Sequence, residues 1–166
     1  MKPTFIDINN NIEVALKKYS DMVRRICFLY LHNSADADDV FQEVFLKLLQ
    51  KKTSFESAEH EKAWVIRVAI NKCKDVLKSF WRKNIDSIEN MEIPFEDKAE
   101  NELMHVVLSL PNKYKDVIYL YYYEEYNVPE ISKLLKKNEN TIYSHLHRAR
   151  VLIKQKLGGK QYDYSF

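Results

Sequence analysis

The sequence predicts an all-α fold of two small helical domains joined by an acidic linker. Three observations carry that reading. Apolar residues recur at three- and four-residue spacing along most of the chain, while alternating strand patterns are scarce. The 166 residues include only two Gly and four Pro, so helix breaks are few. The segment NIDSIENMEIPFEDKAENE at 84–102 loses the periodicity and carries seven acidic residues against one Lys, a net charge of −6. The resulting division is a three-helix domain at 1–83, a linker at 84–98 and a four-helix domain at 99–166.

Residues 10–32 read as the first helix, ending near His32 and Asn33, with Val14, Ile26 and Leu29 on its apolar face. Ser34 starts the second, where Asp36, Asp38 and Asp39 suit the positive end of the helix dipole. Its core stripe is Val40, Phe41, Val44, Phe45, Leu48 and Leu49. A polar loop near 52–58 precedes a third helix at about 59–83, with Val65, Ala69, Cys73, Val76 and Phe80 on one side. Beyond the linker, 99–110 and 112–125 read as helices separated by Pro111. Residues 127–157 then read as a helix-turn-helix. Asn127 and Glu130 have capping-box spacing, and Pro129 is tolerated in the first turn. The turn falls at Lys136-Lys137-Asn138, and Asn138 caps the last helix. There Ile142, Leu146, Ala149, Ile153 and Leu157 form one apolar stripe. Gly158 ends the helix, and the last nine residues are expected to fray.

Composition excludes several classes. No stretch approaches the roughly 18–20 apolar residues of a membrane span, and the N-terminus lacks an apolar signal core, so a cytoplasmic protein is expected. Cys27 and Cys73 lie far apart in sequence, without partners at metal-ligand spacing. Two buried free thiols are the expected reading, with a disulfide or a metal role as the alternative. His32, His60, His105, His145 and His147 show no metal-ligand grouping with carboxylates, and no nucleophile motif or phosphate-cradling glycine loop is present. No enzyme, metal, cofactor or small-molecule substrate is expected.

Three helical faces carry chemistry. On the second helix, Asp39, Gln42, Glu43 and Leu46 run away from the core stripe. An apolar anchor with a polar rim suits a protein-binding surface, although a solvated face with one stray leucine reads the same way. On the third helix, Arg67, Asn71, Lys74, Lys78 and Arg82 line up opposite the core, with Trp64 and Trp81 at the margins. Cations track phosphates, and an aromatic beside an amide can stack on or bond an unstacked base, so single-stranded DNA fits better than duplex. A lysine-rich solvated face with two packed tryptophans is the alternative. The helix-turn-helix carries seven Lys/Arg against two Glu over 127–157. Its outward Tyr143, Ser144, His147 and Arg148 suit base edges in a major groove, and Thr141, His145 and Arg150 suit the phosphate backbone.

In combination these segments resemble the extracytoplasmic-function (ECF) sigma factors of bacterial RNA polymerase, over about residues 10–157. DADDVFQEVFLKLL at 36–49 looks like the family's region 2.2. KAWVIRVAINKCKDVLKS at 62–79 is similar to the W-x-x-R-x-A-x-N-x-x-x-D-x-L pattern of regions 2.3 and 2.4, and 110–150 resembles region 4. The resemblance implies a promoter-specificity subunit whose partners are bacterial core RNA polymerase, through its β′ clamp helices and β flap, promoter DNA, and an anti-sigma factor. It implies that Asp39, Gln42, Glu43 and Leu46 face the clamp. The loop around Phe55–Glu61 would form a pocket for a base flipped from the minus-ten element. Phe55, Trp64, Arg67, Asn71, Lys74 and Lys78 would then contact melted minus-ten DNA, with Asn71 holding the base and Trp64 near the point of strand separation. Thr141, Tyr143, Ser144, His145, His147, Arg148 and Arg150 would serve the minus-thirty-five element, with His145 and Arg150 on phosphates. The acidic linker would thread towards the template and RNA path.

The chain departs from the pattern at Lys136 and Asn140, where the family often has Gly, and at Tyr143 and His145, where it often has Lys or Arg. Fewer fixed charges on the reading helix alter the expected base preference. The rival reading is a free-standing, dimeric helix-turn-helix regulator. Such a protein binds duplex DNA without polymerase and has no use for the Trp64–Arg82 stripe.

Overall fold

The structure, a computed structural model, describes residues 5–31, 33–83 and 98–158. The described residues fold into seven α-helices and one π-helical segment. The chain separates into two compact units, Met1–Met91 and Glu92–Phe166. The acidic segment 84–97, His32 and the last eight residues lie outside the described part, as do the side chains of Phe80, Trp81 and Arg82.

The first unit packs α1 (Phe5–Tyr30), α2 (Ser34–Gln50) and α3 (Ala58–Lys83) each against the other two. Val23, Ile26, Cys27 and Tyr30 of α1 meet Val40 and Val44 of α2 and Val65, Ile66, Ala69 and Cys73 of α3 in a closed core. α1 begins earlier than the spacing predicts and stops at Tyr30. Val14 is not part of its apolar face: it is 62% exposed. It lies nine residues before Val23, two and a half turns away, which puts it on the opposite side of the helix. Asn33 caps α2 by accepting a bond of 2.8 Å from the Asp36 N–H. Leu49, expected in the α2 core stripe, is 36% exposed and extends the patch around Leu46. The buried face of α3 is wider than predicted, taking in Ile66 and Ile70, because α3 packs on two helices rather than one.

The second unit contains α4 (Lys98–Leu108), α5 (Asn112–Ile118), the π-helical Tyr119–Tyr123, α6 (Val128–Leu135) and α7 (Glu139–Lys156). The helix predicted over 112–125 is therefore α-helical only in its first half. Its last turns widen, with the Glu124 N–H reaching Tyr119 O at 3.1 Å. Glu125 then takes a left-handed conformation, and the Tyr126 N–H closes back on Leu120 O at 2.9 Å. Asn127 and Glu130 form the expected capping box, with bonds of 2.8 and 2.9 Å. Asn138 caps α7 through the Asn140 N–H at 2.8 Å. The stripe Ile142, Leu146, Ala149, Ile153 and Leu157 is wholly buried.

Lys136 makes the turn between α6 and α7, with φ 53° and ψ 47°. The Ser132 hydroxyl steadies this turn by donating to Lys137 O at 2.5 Å. A left-handed L-residue costs roughly 1–2 kcal/mol, part of which glycine would return as unfolded-state entropy. Lys136→Gly should therefore stabilise the second unit by about 0.5–1 kcal/mol, read as a higher urea midpoint at unchanged slope. An unchanged midpoint would mean that the turn carries no strain.

Candidate nucleic-acid interface

On α2, Asp39, Gln42 and Glu43 are exposed, and Leu46 is 53% exposed beside Leu49. The stripe is thus a real surface with an apolar centre. Lys72 of α3, absent from the sequence-based list, reaches across to it: its Nζ lies 2.9 Å from Glu43 Oε2. Such a partly exposed pair contributes little to stability. It does fix where the carboxylate points.

The loop after α2 builds an aromatic cluster. Phe55 packs edge-on against Trp64 and His60, each at 5.5 Å, and the Lys51 ammonium sits 4.4 Å from the Phe55 ring centre. The backbone holds this arrangement. Glu56 N–H donates to His60 Nδ1 at 3.3 Å, and the Ser57 hydroxyl accepts from His60 N–H at 3.1 Å. Glu61 ties the start of α3 to α1, accepting from the Tyr19 hydroxyl at 2.5 Å and from Lys18 Nζ at 3.2 Å. Phe55 and Trp64 remain half-buried, so ring surface is open to a ligand. Along the same helix Asn71 and Lys78 are exposed, while Arg67 and Lys74 are half-buried. Lys51 at the end of α2 and His60 in the first turn of α3 join the cluster through the fold of the loop between them.

On α7, Tyr143, Ser144, His147 and Arg148 face solvent, with Tyr143 58% exposed. Thr141 is half-buried. His145 and Arg150, expected on phosphates, are half-buried and make contacts within the unit. The His145 ring packs edge-on to Tyr114 of α5 at 5.5 Å. Burial holds its imidazole below the ordinary value, helped by Lys137, Lys113 and Arg148. Arg150 Nε donates to the Tyr122 hydroxyl at 2.7 Å, and its guanidinium lies over the Tyr121 and Tyr122 rings at 5.7 and 5.6 Å. The helical wheel explains this: Arg150 is four residues after Leu146, only about 40° from the buried stripe. His145 thus holds α7 to α5, and Arg150 holds it to the π-helical segment.

Beneath the helix-turn-helix, α5 buries Lys115 and Asp116. Burial brings the Lys115 ammonium down to about 8. It pushes the Asp116 carboxyl up to about 7, against the opposing pull of Lys137.

A polar reading helix in one unit, and a basic helix with an aromatic cluster in the other, define a two-part DNA-binding protein. Comparison with known proteins agrees. The Sigma-70 region 2 family model matches residues 15–83, and the Sigma-70 region 4 model matches residues 100–153. RNA polymerase sigma factor SigV of Bacillus subtilis is 30% identical over 139 residues, covering 80% of this chain and 82% of that protein. The ECF RNA polymerase sigma factor SigW of the same organism is 24% identical, with 84% of each chain covered. In fold, the chain is similar to the sigma factor RpoE of Bartonella quintana, crystallised with the anti-sigma factor NepR. There the TM-score is 0.75 at 17% identity, over 91% of this chain and 99% of that one. The chain belongs to the sigma-70 family, among its ECF sigma factors. It is an alternative sigma factor, directing RNA polymerase to promoters and to transcription initiation. The family is not an enzyme family. Among the described residues, no helix is long and apolar enough to cross a membrane.

The buried acid gives a pH dependence of stability. Asp116 binds its proton more tightly in the folded chain, so its contribution is complete below about pH 4 and is lost as pH rises through about 7. His145 acts oppositely, its contribution being lost as pH falls through its titration. Asp116→Asn should remove the first effect and stabilise the second unit at pH 8 by as much as roughly 4 kcal/mol. Urea unfolding at pH 5 and pH 8 checks this, and equal losses in both proteins would contradict it.

Proposed function

We propose that three faces divide the work of this sigma factor. Residues 1–83 act as region 2, 84–98 as the acidic linker and 99–166 as region 4. Asp39, Gln42, Glu43 and Leu46 dock on the β′ clamp helices, with Leu46 as the apolar anchor and Leu49 beside it. Charge there orients the encounter, and the leucines supply the desolvated centre.

Phe55 and Trp64 receive an unstacked base of the minus-ten strand. Asn71 bonds that base, and Arg67, Lys74 and Lys78 follow the phosphates. Stacking on an aromatic accepts any base, so the sequence preference comes from the amide and the walls of the pocket. In region 4, which rests on the β flap, Tyr143, Ser144, His147 and Arg148 read the minus-thirty-five major groove. Arg148 is suited to bidentate contact with guanine, and Tyr143 to a thymine methyl or a phosphate. His145 positions the reading helix against α5, and Arg150 positions it against the π-helical turn that follows. The observation that carries the assignment is the complete separation of the α7 faces, its apolar stripe buried and Tyr143, Ser144, His147 and Arg148 in solvent.

The linker carries charge suited to a cationic channel that later admits RNA. No catalytic step belongs to this chain, and it acts in the cytoplasm, where core polymerase and promoters are found. An anti-sigma partner covers its docking or DNA-binding faces. This rests on the likeness in fold to RpoE, and to CnrH, solved with the cytosolic domain of CnrY at TM-score 0.66 and 18% identity.

Run-off transcription with and without core polymerase tests the whole reading, since a free-standing regulator needs no core to bind its site. Arg148→Ala should lower promoter output about tenfold, consistent with roughly 1–3 kcal/mol of base discrimination, and leave core affinity within about twofold. Loss of core binding would contradict its role. Glu43→Lys should do the reverse, weakening core association by about tenfold or more through a cation in the acidic stripe. Unchanged core affinity in that variant would remove α2 from the docking surface.

A further inference from the structure

One edge of the reading helix collects positive charge from three elements. At 100° per residue, Thr141, His145 and Arg148 fall within about 60° of one another, along one side of the outward face of α7. The buried Tyr114 ring of α5 brings two groups to that edge. His145 packs edge-on against it at 5.5 Å, and the exposed Lys113 holds its Nζ 5.1 Å from the ring centre. Lys137 comes from the turn before α7. Its backbone is fixed twice to Ser132, its N–H donating to Ser132 O and its carbonyl accepting from the Ser132 hydroxyl. Burial, then Lys137, Lys113 and Arg148, all hold the His145 imidazole below its ordinary value. Its Nδ1 is buried without a hydrogen-bond partner, which opposes a second proton in the same sense. None of the three cations has an ion-pair partner among the described residues. Asp116, the buried carboxyl that feels Lys137, is pushed up to about 7 and offsets that charge only in part.

We propose that Lys113 and Lys137, gathered around His145, seat one phosphodiester of the DNA strand that runs along this edge of the reading helix. Cations brought together without a carboxylate between them repel, and an anion placed among them removes the repulsion. The ligand class follows from where the charge lies. A helix in a major groove has a sugar-phosphate strand along each of its sides. The other edge of α7 carries Arg150, whose guanidinium is already held by Tyr122. The edge with unpaired charge is the one continuous with Arg148.

Two ammonium groups act on a phosphate as point charges, so the seat fixes register and carries no base information. Discrimination stays with Ser144, His147 and Arg148. The seat also accounts for an inward-turned His145: its ring braces α7 on α5, while the lysines around it meet the phosphate. Lys113 belongs to α5 rather than to the helix-turn-helix, so the seat ties the duplex to the layer beneath the reading helix. Placement of the duplex rests on the minus-thirty-five reading; the phosphate contact itself needs neither polymerase nor a particular sequence.

Salt titration of the full chain on a fluorescent duplex of about 30 base pairs and mixed sequence tests the seat. Lys113→Gln should weaken binding at least threefold at about 20 mM KCl, and equally on a second, unrelated duplex. The double variant Lys113→Gln/Lys137→Gln should lower the slope of log K against log salt by about 0.9, the value for one phosphate. A fall of about 1.8 would mean two separate contacts and overturn the shared seat. Lys17→Gln removes equal charge from an exposed position on α1 and should change affinity less than twofold. Lys137→Arg, which keeps the charge, should keep the slope; it stands in if Lys137→Gln lowers the urea midpoint. An unchanged slope in the double variant, an equal loss in Lys17→Gln, or no binding by the unaltered chain at about 20 mM KCl would each overturn the proposal. A second arm places the phosphate. Holoenzyme is assayed on a promoter fragment that supports core-dependent run-off, with single methylphosphonates across the minus-thirty-five element. One position should weaken the unaltered protein at least threefold and leave the double variant unchanged, and equal losses in both proteins at every position would contradict the seat. If no fragment supports core-dependent run-off, the promoter reading fails instead, and the salt slopes still decide the phosphate contact.

Discussion

Burial of one apolar stripe per helix decides everything that the opposite face can do. Ile142, Leu146, Ala149 and Ile153 are sealed against the rest of the second unit, so the rotation of α7 is fixed and Tyr143, Ser144, His147 and Arg148 must face out. The same logic places Glu43 and Leu46 opposite Val40 and Val44, and Asn71 opposite Val65 and Cys73. A one-residue slip would turn each face by about 100° and exchange its chemistry for core. Function is therefore held by packing that never touches DNA or polymerase.

Polar contacts then refine what packing has set. Glu61 anchors the start of α3 to Tyr19 and Lys18, beside the loop that carries Phe55. Arg150 pins α7 to two tyrosines of the π-helical segment. These bonds are individually modest, but each lies close to a proposed ligand face, where a small angular error matters most. The buried Asp116, within reach of the Lys137 charge, works against stability near neutral pH.

Much of this was legible in the sequence. Periodicity located seven helices, and Asn127, Glu130 and Asn138 marked two caps that the structure contains. The outward set on α7 followed from residue spacing alone. What escaped depends on contacts between elements or on departures from the α-helical repeat. The π-helical Tyr119–Tyr123 breaks the 100° rule, so nothing in the pattern pairs Tyr122 with Arg150, 28 residues away. Val14 is apolar yet half a turn off the core line. Lys72 on Glu43 requires knowing which helix lies beside which, and Lys51 on Phe55 requires the fold of the loop. Single-chain periodicity gives each helix a face but not a neighbour.

The sequence holds only two glycines, at 158 and 159, so both tight turns of the helix-turn-helix region are left-handed residues with long charged side chains, Glu125 and Lys136. A glycine there would be conformationally free and electrically silent. Lys136 instead exchanges backbone ease for a fixed cation next to Lys137, at the corner from which α7 emerges. The turn thereby contributes to the positive field that a polyanion meets on approach, at a range longer than any base contact. Its shape and its charge cannot be tuned separately.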